Sequence, residues 1–219
     1  MHLLHILSQL FYPSLCRACE SVIPPSHALC LACTSSITPV VSVYVPLSAQ
    51  KSVKVYAAAA YQGVMKTLVL KKISSDLTAS KHLGTLITQL LPLHQIPCDY
   101  LIPIPLHWSR YARRGFNQAH EIAKVLSKEN YVPIAPLLMR VKHTQFQSSL
   151  DAASRQHNVA HAFDISWRYR LTRMDQFKDK DLVIVDDLFT TGATITHAAK
   201  ALAPLKPRSV SAIVACRAI

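Results

Sequence analysis

Leu182-Val183-Ile184-Val185-Asp186-Asp187-Leu188-Phe189-Thr190-Thr191-Gly192-Ala193-Thr194 is the stretch that decides how this 219-residue chain is read. Leu182 to Val185 are four consecutive apolar residues, the character of a strand buried on both faces within a helix-covered parallel sheet. That strand delivers two adjacent carboxylates, Asp186 and Asp187, to its C-terminal end. A turn of small hydroxylated residues around Gly192 follows, and the pattern predicts a helix from Ile195 to Ala203. Ligands of open α/β sheets bind outside the carboxyl ends of strands, and backbone N–H groups at a helix start form a phosphate site. The acid pair is wrong for phosphate but right for two ribose hydroxyls, each of which can donate to a carboxylate. Hydroxyl acceptors beside a phosphate cradle imply a ribose 5-phosphate ligand. A Walker-type loop is excluded, because no Gly-Lys-Ser/Thr follows the turn.

The segment resembles the phosphoribosyl-pyrophosphate (PRPP) loop of type I phosphoribosyltransferases at every position of the motif. The resemblance implies that Asp186 and Asp187 hold the ribose hydroxyls, directly or through Mg²⁺, as the catalytic acids. It further implies that Leu188, Phe189, Thr190, Thr191, Gly192, Ala193 and Thr194 bind PRPP, with the threonine turn on the 5-phosphate.

At the other end of the chain, Cys16-x-x-Cys19 and Cys30-x-x-Cys33 form two knuckles. Each can curl two sulfurs to one side, and the pair completes a tetrahedral four-sulfur site for structural Zn²⁺. Pro13, Pro24 and Pro25 and few large apolar residues leave this stretch little core of its own, so metal has to fold it. His27 can replace one thiolate or stand as a surface histidine, and the second reading is preferred. Cys98 and Cys216 stand alone near expected strands and are read as core residues. The opening Met1 to Phe11 lacks the basic start and cleavage site of a signal peptide. It is expected to form a short amphipathic helix on the cysteine cluster.

Between these ends, residues 53–61 read as a strand, placed in a hood above the main sheet. Gln62-Gly63 turns into a helix through Lys71-Lys72, and a second helix is expected over about 76–91. Tyr100 to Pro105 is a short apolar strand closed by two prolines. The loop after it carries Arg110, Arg113 and Arg114, and arginine forks bind phosphate oxygens in bidentate fashion. Gly115 lets backbone approach a ligand, and Asn117 is placed to cap a helix of residues 118–128. A third loop follows a strand near Ile134 to Met139. It contains Arg140, Lys142, His143, Thr144, Gln147 and Leu150, with Arg155 and Asn158 in an expected helix. A basic loop of this kind can close over pyrophosphate and exclude water, or it can be a solvated charged loop.

Together these segments resemble the ComF/GntX family, whose ComF branch serves natural competence. The family's pattern is a four-cysteine finger, a Pro-Leu-His…Arg-Gly-Phe-Asn-Gln loop, a Thr-x-x-Gln-x-x-Leu loop and the Asp-Asp…Thr-Thr-Gly-Ala-Thr turn. All four appear in order, as Cys16–Cys33, Pro105–Gln118, Thr144–Leu150 and Asp186–Thr194. The resemblance implies an N-terminal helix and four-cysteine zinc-finger module over residues 1–45. It implies an α/β phosphoribosyltransferase fold over 46–219, an open, mainly parallel Rossmann-like sheet with a hood. Arg113, Arg114, Arg140 and Lys142 are the implied pyrophosphate ligands, with Mg²⁺ accompanying PRPP. The implied role is handling of incoming single-stranded DNA at the inner face of the membrane, with a helicase-like translocase as partner. Active transfer to an unknown acceptor is the alternative, and a zinc-stapled adaptor with a relic site the third reading.

The stretch Asp164–Lys180 departs from the pattern by its length. It interleaves Trp167, Tyr169 and Phe177 with Arg168, Arg170, Arg173, Lys178 and Lys180. Two readings stand: a stacking and charge platform for single-stranded nucleic acid, or an edge structure whose rings face inward. The formal charge of +12, from 24 basic against 12 acidic residues, favours a polyanionic partner: nucleic acid, an anionic membrane surface or a polyphosphate. No apolar run is long enough to span a membrane, and a cytoplasmic location, peripheral to the inner membrane at most, is expected.

Overall fold

A computed structural model describes residues 13–24, 27–71, 77–106, 111–112, 114–141, 162–170 and 174–219 of the chain. After the short helix α1 (Leu31–Ser35) come strand β1 (Val43–Pro46), strand β2 (Ser52–Ala60) and helices α2 (Gly63–Lys71) and α3 (Leu77–Leu90). Strand β3 (Tyr100–Pro103), helix α4 (Gln118–Asn130), strands β4 (Leu138–Arg140) and β5 (Phe163–Ile165) and helix α5 (Trp167–Arg170) follow. Strand β6 (Asp181–Phe189), helix α6 (Ala193–Leu202) and strand β7 (Ser209–Arg217) complete the order. The main sheet runs β1-β2-β7-β6-β3, parallel except for the edge strand β1.

Residues 53–61 therefore do not stand in a hood. All of them but Tyr61 lie in β2, paired in parallel with β7 from Lys54 opposite Ser211 to Ala60 opposite Arg217. The physical reason lies in Ala57–Ala60, every one of them buried, the pattern of a strand covered on both faces. The strand expected near Ile134 to Met139 splits in two. Ile134 bridges Leu101 beside β3, while Leu138–Arg140 pairs antiparallel with Phe163–Ile165 in a separate ribbon.

Two apolar cores sandwich the sheet. On one face α6 brings Ile195, Ala198, Ala199 and Leu202 down onto Leu182, Ile184, Ala212 and Val214, with the β4–β5 ribbon alongside. On the other face α2, α3 and α4 cover Val183, Val185, Ile213 and Ala215. Cys16, Ile23, Ala28 and Leu29 of the cysteine module belong to this second core, with Ala58, Ala59 and Met65. The module is thus packed into the sheet-and-helix layer, and the expected division after residue 45 falls inside β1.

The aromatic stretch resolves in favour of inward rings at two of its three positions. Tyr169 and Phe177 meet edge to face at 5.8 Å, and Phe177 meets Tyr100 likewise at 5.0 Å, with Phe177 fully buried. Trp167 remains 61% exposed, with the Arg168 guanidinium 5.6 Å over its ring. Arg173 lies outside the described residues.

Candidate functional site

The acid pair sits within β6 rather than after it, because the ladder to β7 continues through Asp186 opposite Val214 to Phe189 opposite Arg217. The strand therefore carries both carboxylates to the carboxyl edge, where each is half-buried. Asp186 Oδ1 accepts the Asp187 N–H at 2.9 Å, which fixes that carboxylate against its own backbone. The turn is correspondingly short: exposed Thr190 and Thr191, then buried Gly192.

Gly192 has φ +80°, and a Cβ there would lie 3.2 Å from Phe189 Cε2 and 3.3 Å from Val45 Cγ1. Both the left-handed backbone and the confined space require glycine. The first helical bond runs from Thr196 N–H to Gly192 O at 2.9 Å. Gly192, the N-cap, has no side chain with which to cap this end of α6, and no acid occupies its first turn. The leading N–H groups of α6 thus have no intrahelical partner, and the helix dipole places partial positive charge on them. An exposed threonine pair, an uncapped helix start and two carboxylates are the complement of a phosphate joined to a diol.

The neighbouring strand ends at the same edge. Ile104 N–H donates to Val185 O at 3.0 Å, holding the exit from β3 beside β6. Asn117 makes two bonds there: its Oδ1 accepts Ala119 N–H at 3.1 Å as cap of α4, and its Nδ2 donates to Ile104 O at 2.9 Å. The expected cap is present. Gly115, at φ +78° with open space where a Cβ would sit, closes the loop by donating to Tyr111 O at 2.7 Å. Arg114 is half-buried in this turn. Arg113 and Lys142 lie outside the described residues, as do His143, Thr144, Gln147, Leu150, Arg155, Asn158 and Arg110. Arg140 ends β4, with its guanidinium 5.5 Å over the Phe163 ring.

The sequence placed Gln118 at the end of the Pro105–Gln118 loop pattern without giving it a role. It is the first residue of α4, only 3% exposed, and its Nε2 has no hydrogen-bond partner among the described residues. Its sequence signal was its place as the last residue of the Arg-Gly-Phe-Asn-Gln pattern.

At the N-terminal module the Sγ atoms of Cys16, Cys19, Cys30 and Cys33 all lie within 4.8 Å of one another. Cys19 and Cys30 sulfurs stand 3.6 Å apart, close to the ~3.8 Å edge of a tetrahedron with Zn–S bonds of about 2.3 Å. The backbone is already arranged for anionic sulfur: Cys30 N–H points to Cys16 Sγ at 3.3 Å and Cys33 N–H to Cys30 Sγ at 3.4 Å. Burial raises the Cys16 thiol, but N–H groups of Cys19, Cys30 and Ala18 outweigh it and bring the group to about 6. Cys33 is pushed up to about 12, first by burial and then by the adjacent sulfurs. Four crowded sulfurs sharing this imbalance fit a cation that takes all four as thiolates. His27 is exposed and stands outside the cluster. Cys216 is buried in the core as expected. Cys98 is pushed up to about 12 by burial and by Asp99 and Asp181, which keeps it a neutral thiol.

Comparison with known proteins agrees with this geometry. Residues 111–219 match the family described as "Phosphoribosyl transferase domain". The chain is 32% identical over 132 residues to Competence protein F of Haemophilus influenzae, a match covering 59% of this chain and 56% of that protein. It is 33% identical over 102 residues to Competence protein ComFC of Bacillus subtilis, covering 47% and 37%. DNA utilization protein YhgH of Escherichia coli strain K12 is 29% identical over 126 residues, covering 57% and 52%. The matched region spans about half the length, or less, of these curated relatives. With its cysteine cluster and its mostly parallel sheet, the chain is similar to the competence proteins F and ComFC and to YhgH, and its residues 111–219 match a phosphoribosyl transferase domain.

Proposed function

We propose that the chain binds a ribose 5-phosphate ligand, with PRPP the foremost candidate, and serves the handling of incoming single-stranded DNA at the cytoplasmic face of the inner membrane. The observation that carries the first half is the continuity of Asp186 and Asp187 with the uncapped start of α6 through Gly192. Two carboxylates accept the diol, and the turn N–H groups take the phosphate. Mg²⁺ fits here because it takes hard oxygen donors from one or two carboxylates and leaves the rest of its shell to water and phosphate. It would neutralise pyrophosphate charge. Arg114, with Arg113, Arg140 and Lys142, is assigned to the pyrophosphate as bidentate or point-charge partners.

The DNA half rests on the relatives' names, on the formal charge of +12 and on Trp167 with its stacked Arg168. No described helix is long and apolar enough to cross a membrane, so an inner-membrane site of action means a docked protein, with a helicase-like translocase as the expected neighbour. The test is binding of a fluorescent single-stranded oligonucleotide at rising salt, with and without PRPP. Binding that falls steeply with salt and weakens in Trp167→Ala supports the reading. Indifference to DNA at low salt removes it.

A second reading, phosphoribosyl transfer, is favoured by the half-buried Arg114 in the loop that Asn117 ties to Ile104, whose N–H in turn bonds Val185 of β6. Breaking the C1–O bond to pyrophosphate develops negative charge on the leaving group, and a preorganised cation stabilises it. It predicts Mg²⁺-dependent pyrophosphate release from PRPP with an acceptor, abolished by Asp187→Asn. No acceptor stimulating release across a broad screen counts against it.

A further inference from the structure

The linker leaving the cysteine module crosses from one face of the main sheet to the other. Ile37 packs in the core beneath α2 and α3, whereas Val40 and Val43 pack in the core beneath α6. The crossing lies at the carboxyl ends of β2 and β7. There Ala60 N–H donates to Thr38 O at 2.9 Å, Gln62 Nε2 donates to Thr38 Oγ1 at 2.7 Å, and Arg217 Nη1 donates to Val41 O at 3.3 Å. Arg217 is the last residue of β7, in register with Phe189 at the end of β6. Its Nε is buried with no hydrogen-bond partner among the described residues, a cost that a side chain of this length escapes by swinging into water unless its position is needed. Beyond the crossing, β1 seats Val45 on the phosphate turn, within 3.3 Å of where a Gly192 Cβ would be.

We propose that Arg217 is a positioning residue for the ribose-phosphate site: by clamping Val41 it fixes the linker, which keeps Val45 seated against Gly192 and lets the cysteine module brace the phosphate turn. The inference rests on the reading that this turn binds a ribose 5-phosphate. A phosphate cradle works when its N–H groups are already set, since every segment ordered on binding subtracts from affinity. The turn itself has two exposed threonines and a glycine, so its order must come from what packs on it. Phe189 packs on it from its own strand, and Val45 comes from the linker hairpin. The module is thereby tied to the site through backbone contacts, with no role as an independent reader required.

The test compares full-length, zinc-loaded wild type with Arg217→Met, Arg217→Lys and Val45→Ala, using amide hydrogen exchange and calorimetry with ribose 5-phosphate. Arg217→Met is expected to speed exchange of the amides of residues 191–195 and weaken ribose 5-phosphate by about three- to tenfold, the size of one lost hydrogen bond. Exchange in α3 and α4 stays at the wild-type rate, and Arg217→Lys recovers part of the affinity. Val45→Ala, which removes the seat and leaves the clamp, gives the same local pattern and decides the matter if Arg217→Met does not fold. Unchanged turn exchange and affinity in both variants, or exchange accelerated evenly through the domain, overturns the proposal. A wild type without affinity for ribose 5-phosphate overturns the ligand reading instead, and the exchange pattern then judges the brace on its own.

Discussion

Arg208 brackets the buried carboxylate of Asp181 at the amino edge of the sheet: its Nε donates to Oδ1 at 3.0 Å and to Oδ2 at 3.1 Å, and its Nη2 to Oδ2 as well. Ser209 Oγ adds a bond to Oδ1 at 2.7 Å, and Asp181 N–H donates to Asp99 Oδ2 at 2.8 Å. The bracket joins the first residues of β6 and β7 to the entry of β3, opposite the edge that carries the candidate site.

This arrangement sets a pH dependence. The hydrogen bonds from Arg208, opposed by burial and aided by Ser209, hold the Asp181 carboxyl below the usual carboxylate range. A depressed folded value contributes stability that is fully present above the unfolded value near ~3.9 and is lost as pH falls through the folded one. Wild type is therefore expected to lose stability below about pH 4 relative to Asp181→Asn. Acid also strips zinc from thiolates, so the quantity to measure is the difference in urea midpoint between the two proteins, across the acid range down to about pH 3. Parallel curves contradict the assignment.

The two left-handed glycines of the candidate site separate backbone strain from crowding. Gly115→Ala places its Cβ in open space and is expected to cost about 1–2 kcal/mol from the left-handed backbone alone. Gly192→Ala adds contacts near 3.2 Å to the Phe189 ring and is expected to cost more and to reduce phosphate affinity further. Equal thermal shifts in the two variants contradict the close packing of the turn.

Asn117→Ala removes an N-cap and the tie to Ile104 together. Loss of such a cap costs about 1 kcal/mol, and thermal unfolding should show at least that. Ribose 5-phosphate affinity should change little, whereas PRPP affinity should fall, because the loop carrying Arg114 loses its anchor. A uniform loss for both ligands contradicts this division of the site.

The four cysteines predict one tightly held zinc per chain, measurable by elemental analysis. Structural sites of this kind supply on the order of 10–16 kcal/mol in zinc-finger peptides. Chelation or Cys16→Ser is expected to release exchange protection in residues 14–36 first, since Cys16, Ile23, Ala28 and Leu29 are the module's buried contribution to the core. A protein whose exchange is unaffected by metal removal contradicts a structural role.

Much of the site was legible because it is local in sequence. Leu182 to Thr194 holds strand, acids, turn and helix start in one run, and Asn117 announces α4 by position alone. The cysteine pairs needed only their spacing. What escaped depends on partners distant in the chain. Ala57–Ala60 looked like an outlying strand because its partner, β7, lies at the far end of the chain. Arg140 read as a loop cation, but pairing with Phe163 draws it into a strand. Arg217 belongs to no motif and Gln118 closes one that gives it no role, and the interest of both comes from burial without a described partner, a property of the folded surroundings.

The most direct test of the ribose-phosphate site is calorimetry of PRPP with Mg²⁺ on the zinc-loaded protein, against Asp186→Asn/Asp187→Asn, repeated with a short single-stranded DNA. Saturable binding, lost in the double variant and altered by DNA, is the predicted result. Absence of binding in the wild type, or equal binding in both proteins, would contradict the assignment of Asp186, Asp187 and the Gly192 turn.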